Sequence, residues 1–134
     1  MEKKIFVVDA ENSPAGRVAS IVAKKLLNSK EEIAVVNSEK AIITGNKHQI
    51  KERFMQRRNR LGGILRGPHI SRVPDRLLKR MIRGMLPRKK ERGQEALKRV
   101  KCYVGLPKEF QNMKALKMED KTDLKYIALG EVYK

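Results

Sequence analysis

The chain has 134 residues, 40% of them apolar and 35% charged, with a formal net charge of +17 and a sequence pI near 10.3. That apolar content excludes global disorder, and no apolar run approaches the roughly 20 residues a bilayer-spanning helix needs. Met1 to Ile5 has no signal-peptide core and the single cysteine, Cys102, excludes an internal disulfide, so one cytoplasmic domain spanning residues 1–134 is expected.

In chain order, Ile5-Phe6-Val7-Val8, ending at Asp9, predicts a buried strand of the kind found in parallel sheets. Ala10 to Pro14 is a loop, with Asn12 or Ser13 as N-cap and Pro14 in the first turn of a helix. That helix runs to about Leu27, with Val18, Val22 and Leu26 on its apolar stripe and Arg17, Ser20, Lys24 and Asn28 on its wet face. Ile33 to Val36 and Ala41 to Thr44 predict two further strands. With one near Cys102, these make a count of four strands for an α/β layer fold.

At Lys47 the character of the chain changes. Between Lys47 and Lys101 stand 19 Lys/Arg against four acids, a local charge of +15, while both flanks are close to neutral. Twelve of the 19 are arginines, whose planar donor forks match phosphate oxygens. The pattern predicts a helix with Ile50, Phe54 and Leu61 inward and Arg53, Arg57 and Arg60 on another stripe, with Arg58 beside them. A Gly-rich loop from Leu61 to His69 follows, flanked by Arg66 and Arg72. It is expected to order on a partner. Pro74 opens the next helix, with Leu77, Leu78, Met81 and Ile82 inward and Arg76, Arg80 and Arg83 at i, i+4, i+7; Gly84 and Pro87 end it. A helix from about Lys90 to Arg99 leads into a short strand, Cys102-Tyr103-Val104, closed by Gly105-Leu106-Pro107. Tyr126 to Leu129 is a last small strand or docking segment.

A basic middle between neutral ends is the footprint of a polyanion-binding face, and nucleic acid is the expected polyanion. With no Trp and 4% aromatics, base stacking is not expected as its main binding mode. Asp9 to Arg17 has the outline of a phosphate-binding strand-to-helix turn without its glycine signature. An enzyme built on this sheet would place its site near Asp9, Asn37 and Gly45. Against that, His48 and His69 are not at metal-ligand spacing, and Cys102 reads as a core residue. No catalytic residue, metal or cofactor is expected, and no small-molecule substrate or membrane partner. A double-stranded DNA binder is the third alternative.

Several stretches together resemble one family. Asp9-Ala10, Ala15 to Ser20, Val36 to Lys40 and Ile43 to Asn46 resemble the N-terminal half of the universal large-subunit ribosomal protein 13 family. Arg83-Gly84-Met85-Leu86-Pro87 resembles its most recognisable motif, and Arg92-Gly93 with Ala96 to Arg99 and the short strand Val100 to Val104 follow at compatible spacing. Arg66 to Pro68, Val73 to Arg76 and Ala128 to Val132 are closer to the archaeal and eukaryotic branch. The chain stops at Lys134, where relatives often continue. The resemblance implies a three-layer α/β/α domain around a mostly parallel four-stranded sheet, carrying a basic helical and loop extension. It also implies a non-enzymatic large-subunit component, one copy per ribosome, in contact with 23S-type rRNA and neighbouring ribosomal proteins and used in subunit assembly. RNA contact at Arg17 and over Arg83–Lys90, which includes Arg88, Lys89 and Lys90, is carried by the resemblance. For Arg53, Arg57, Arg58, Arg60, Arg66, Arg72, Arg76, Arg80 and Arg92 it rests on charge and helical spacing.

Overall fold

Ile5 begins an apolar run whose every second side chain must find a different core, because a strand alternates its faces. In a computed structural model, which describes residues 4–59, 70–117 and 124–133, this run is β1 (Ile5–Asp9). The chain continues through α1 (Ala15–Asn28), β2 (Glu32–Val36), β3 (Ile42–Thr44), α2 (Lys47–Asn59), α3 (Pro74–Met85), α4 (Glu91–Lys98), β4 (Val100–Cys102), β5 (Ala115–Lys117) and β6 (Tyr126–Ala128). The main sheet has the order β4-β2-β1-β5, with every neighbouring pair parallel.

Register separates the two faces. Val8 pairs with Val35, and Val35 with Cys102. This face packs on the buried stripe of α1 (Val18, Val22, Leu26), on Leu78 and Ile82 of α3 and on Ala96 of α4. On the opposite face Val7, Ala34 and Val36 pack under Phe110, with Tyr103 and Ala115 alongside. The architecture is a three-layer α/β/α arrangement whose second helical layer is, among the described residues, the single turn Lys108–Phe110.

Two strand assignments differ from the sequence expectation. The run at Ala41 to Thr44 does not join the parallel sheet; it pairs antiparallel with β6, Ile43 opposite Ile127. The reason is the link between β2 and β3, residues 37–41, which is far shorter than the dozen or so residues a parallel crossover needs. The fourth parallel strand is instead β5, which pairs with β1 at the sheet edge. The strand expected at Cys102 to Val104 lies two residues earlier, at Val100–Cys102, because it enters the sheet directly after α4: Ile33 N–H donates to Arg99 O at 3.0 Å and Tyr103 N–H to Val35 O at 2.8 Å.

The start of α1 also differs. The residue before the helix is Pro14 (φ −58°, ψ 126°), rather than Asn12 or Ser13. Asn12 takes a left-handed conformation (φ 55°), and Ser13 Oγ donates to Glu11 O at 3.2 Å. Ser13 O accepts from Ile42 N–H at 3.0 Å, so this segment serves β3 rather than the helix end.

Candidate nucleic-acid interface

The basic tract folds as two amphipathic helices and a turn. On α3, Leu77, Leu78 and Ile82 are buried and Met81 is half-buried, which turns Arg76, Arg80 and Arg83 outward, all exposed. Proline starts the helix as expected, with Asp75 in the first turn accepting the Arg76 N–H through Oδ1 at 2.8 Å. Helix α3 ends at Met85, with Gly84 inside it rather than after it, and Leu86 extended (ψ 150°). On α2 only Ile50 is fully buried, Phe54 is half-buried, and Arg53 and Arg57 are exposed. Phe54 meets Tyr133 edge to face, centroids 5.9 Å apart at 86°.

These two helices converge. Arg57 of α2 and Arg80 of α3 border one cavity of about 220 Å³, which is also lined by Phe54, Tyr133, Ile70, Leu77 and Met81. Two arginine stripes far apart in sequence therefore meet at one mouth. Arg58 of α2 is half-buried; its Nη1 is enclosed and has no hydrogen-bond partner among the described residues. Arg72 is exposed just before α3, where Ser71 Oγ accepts the Val73 N–H at 3.2 Å. Arg60, Arg66 and the Gly-rich loop to His69 lie outside the described residues, as does Leu61.

Beyond α3, Lys90 N–H donates to Pro87 O at 2.9 Å, closing a turn that holds Arg88 and Lys89 at its corners. Arg88, Lys89 and Lys90 are all exposed. The turn is seated on α4 by a close approach: a Cβ on Gly93 would lie 2.1 Å from Pro87 O. Gln94 Nε2 donates to Arg88 O at 3.2 Å and fastens the same junction.

Arg17 and Arg92 lie on other elements. Arg17 is exposed on the first turn of α1, and its carbonyl accepts from Ser20 Oγ at 2.8 Å. Arg92 Nη2 donates to Leu27 O at 3.0 Å at the far end of α1. Sequence reasoning assigned no role to Arg99, yet it donates to two carbonyls there, Leu26 O at 2.8 Å through Nη2 and Ser29 O through Nη1. The signal was present, since Arg92 and Arg99 are seven residues apart and share a helix face. The role of Phe54 and Tyr133 as cavity walls had no such signal.

The strand ends that an enzyme would use are occupied by internal contacts. Asp9 Oδ1 accepts from Asn37 Nδ2 at 3.1 Å and from Glu11 N–H at 2.9 Å, and Lys117 Nζ lies 3.7 Å from Asp9 Oδ2. Asp9 and Asn37 therefore come together, but Gly45 sits elsewhere, donating to Lys125 O at 2.7 Å. Burial pushes the Cys102 thiol up to about 12, an effect that nearby Asp75 reinforces and Lys79 opposes. A thiol held that far from its anion is no nucleophile at neutral pH. Among the described residues no group of three or more His, Cys, Asp or Glu could hold a metal, and no helix is long and apolar enough to cross a membrane.

The sequence pattern of the family described as Ribosomal protein L13 matches residues 3–109. The protein named large ribosomal subunit protein uL13 in Archaeoglobus fulgidus is 44% identical over 133 residues, covering 94% of this chain and 83% of the relative. Its namesake in Methanococcus maripaludis is 47% identical over 131 residues, covering 96% and 94% of the two chains. In Picrophilus torridus the identity is 45% over 133 residues, covering 97% and 95%. With the parallel sheet, the outward arginines and these relatives in agreement, the chain belongs to the ribosomal protein L13 family, on its archaeal branch.

Proposed function

We propose that α2, α3 and the Pro87–Lys90 turn form a single phosphate-neutralising face that seats this protein on folded large-subunit rRNA. As a member of its family the protein is a structural constituent of the large ribosomal subunit and not an enzyme; it associates with large-subunit rRNA and ribosomal proteins, in the cytoplasm. One domain over residues 1–134 and one copy per ribosome are the expected stoichiometry. The supporting observation is the shared cavity mouth, where Arg57 and Arg80 bring both arginine stripes to one place. Arg53, Arg58, Arg72, Arg76, Arg83, Arg88, Lys89 and Lys90 extend the footprint around that point. Arg60 and Arg66 belong to the same tract, while Arg17 and Arg92 are outlying contacts. Phosphate contacts fix position without reading sequence, and specificity follows from the shape of the folded RNA. Compaction of rRNA brings phosphates together, and a dense arginine face offsets their repulsion, which supports assembly.

Binding to a large-subunit rRNA transcript across a salt series tests this reading. With about 6–10 phosphates contacted, affinity falls by on the order of 10³ or more between about 50 and 200 mM salt. A flat salt dependence contradicts the phosphate-neutralising face.

A further inference from the structure

The cavity between α2 and α3 has features that phosphate neutralisation does not use. Its floor is apolar, made by Ile70, Leu77 and Met81, and its walls include the rings of Phe54 and Tyr133. Among the described residues that line it the charged groups are two guanidiniums, Arg57 and Arg80, both exposed and so at its rim. A pure phosphate site has no need of an apolar floor. At about 220 Å³ the cavity is also smaller than the ~300–1,000 Å³ pockets that hold whole small-molecule ligands.

From this we infer that the cavity is a receptor for one unstacked nucleobase of the rRNA, with the flanking phosphates held by Arg57 and Arg80. The inference rests on the rRNA-binding reading above and deepens it. Splayed-out bases in folded RNA are recognised by stacking on aromatic rings and guanidinium planes, and both kinds of group line this site. The flat face of a base packs on the apolar floor, while its anionic backbone stays beside the two guanidiniums. An apolar side chain of a neighbouring protein would fit the floor equally well. It would leave two arginines unmatched at the rim, so charge complementarity favours the nucleotide. A single base held in this way is consistent with a chain of few aromatics, since no extended stacking platform is needed.

Chemical probing of a large-subunit rRNA transcript, with base-specific reagents and with hydroxyl radicals that report the backbone, tests the inference on the whole protein. With the wild-type chain, one unpaired base reactive in free RNA becomes protected at the centre of the backbone footprint. Ile70→Trp fills the cavity and abolishes that base protection while the surrounding backbone footprint remains; affinity drops roughly tenfold, in line with the loss of one stacked base. Tyr133→Leu weakens the protection in the same way, and both variants are checked by thermal melting. A backbone footprint with no protected base at its centre, read on the wild-type protein alone, overturns the inference. So does base protection that survives both folded variants. If base protection is absent on rRNA but the cavity becomes buried when neighbouring ribosomal proteins are added, the occupant is a protein side chain and the inference also fails. Absence of any footprint from the wild-type protein is a different result, and it rejects the rRNA-binding reading itself.

Discussion

Arg99 donates through Nη2 to the carbonyl oxygen of Leu26 at 2.8 Å, joining the end of α4 to the last turn of α1. Its other terminal nitrogen, Nη1, donates to Ser29 O. The last carbonyls of a helix have no partner within the helix, and a cation there also faces the negative end of the dipole. Arg99 is therefore a helix cap, as is Arg92 through its bond to Leu27 O. Arg99→Met keeps most of the stem and removes the donors. It is expected to destabilise the fold by about 1–3 kcal/mol, lowering the melting temperature by several degrees. A variant that melts like the wild type but loses RNA affinity would place Arg99 in the interface instead.

Gly93 is constrained by its neighbour rather than by its own backbone. A Cβ there would lie 2.1 Å from Pro87 O, and backbone cannot yield as a flexible side chain does. Gly93→Ala is expected to cost about 1–3 kcal/mol, as overpacking does, and to displace the turn carrying Arg88 and Lys89. Urea unfolding measures the first effect. An unchanged midpoint would mean that this close approach is not part of the native structure.

Replacing Arg76, Arg80 and Arg83 by Gln removes three exposed charges from a helix whose buried stripe is untouched. The slope of log affinity against log salt is expected to shrink by about 2–3, at roughly 0.7–0.9 per phosphate contact. Circular dichroism and melting temperature are expected to stay close to wild type. An unaltered slope would show that the α3 stripe faces away from RNA.

Cys102 offers a pH-dependent check on packing. Its thiol is raised from the ordinary 9.0 to about 12 by burial, so the native state keeps its proton where the unfolded chain has lost it. The resulting contribution to stability is complete below about pH 9 and is lost as pH climbs toward 12. At pH 8 alkylation of the folded protein should be at least about tenfold slower than in urea, because the thiolate is the reacting form. Equal rates would show that Cys102 is not packed under α3.

Much of this was legible in the sequence, for reasons particular to each element. Val18, Val22 and Leu26 recur at helical spacing and are fully buried, and Pro74 with Asp75 marks the start of α3 correctly. The placement of β3 was also recoverable, since five residues after β2 are too few for a parallel crossover. In contrast, β5 has no pattern to read: it is a three-residue edge strand whose Leu116 is 41% exposed and whose Lys117 points its charge at Asp9. Arg99 shares a helix face with Arg92, seven residues before it, but only the packing of α4 against α1 shows that this face caps a helix. The cavity is tertiary in the same sense, because Phe54 and Tyr133 are 79 residues apart in the chain.

The most direct test of the arginine face is sedimentation of tagged protein in cell lysate through a sucrose gradient after a moderate salt wash. The wild-type protein is expected to co-migrate with the large ribosomal subunit. A folded variant with Arg53, Arg57, Arg76, Arg80, Arg83 and Arg88 all replaced by Gln is expected to remain at the top of the gradient. Co-migration of that variant to the same extent as wild type would contradict the account.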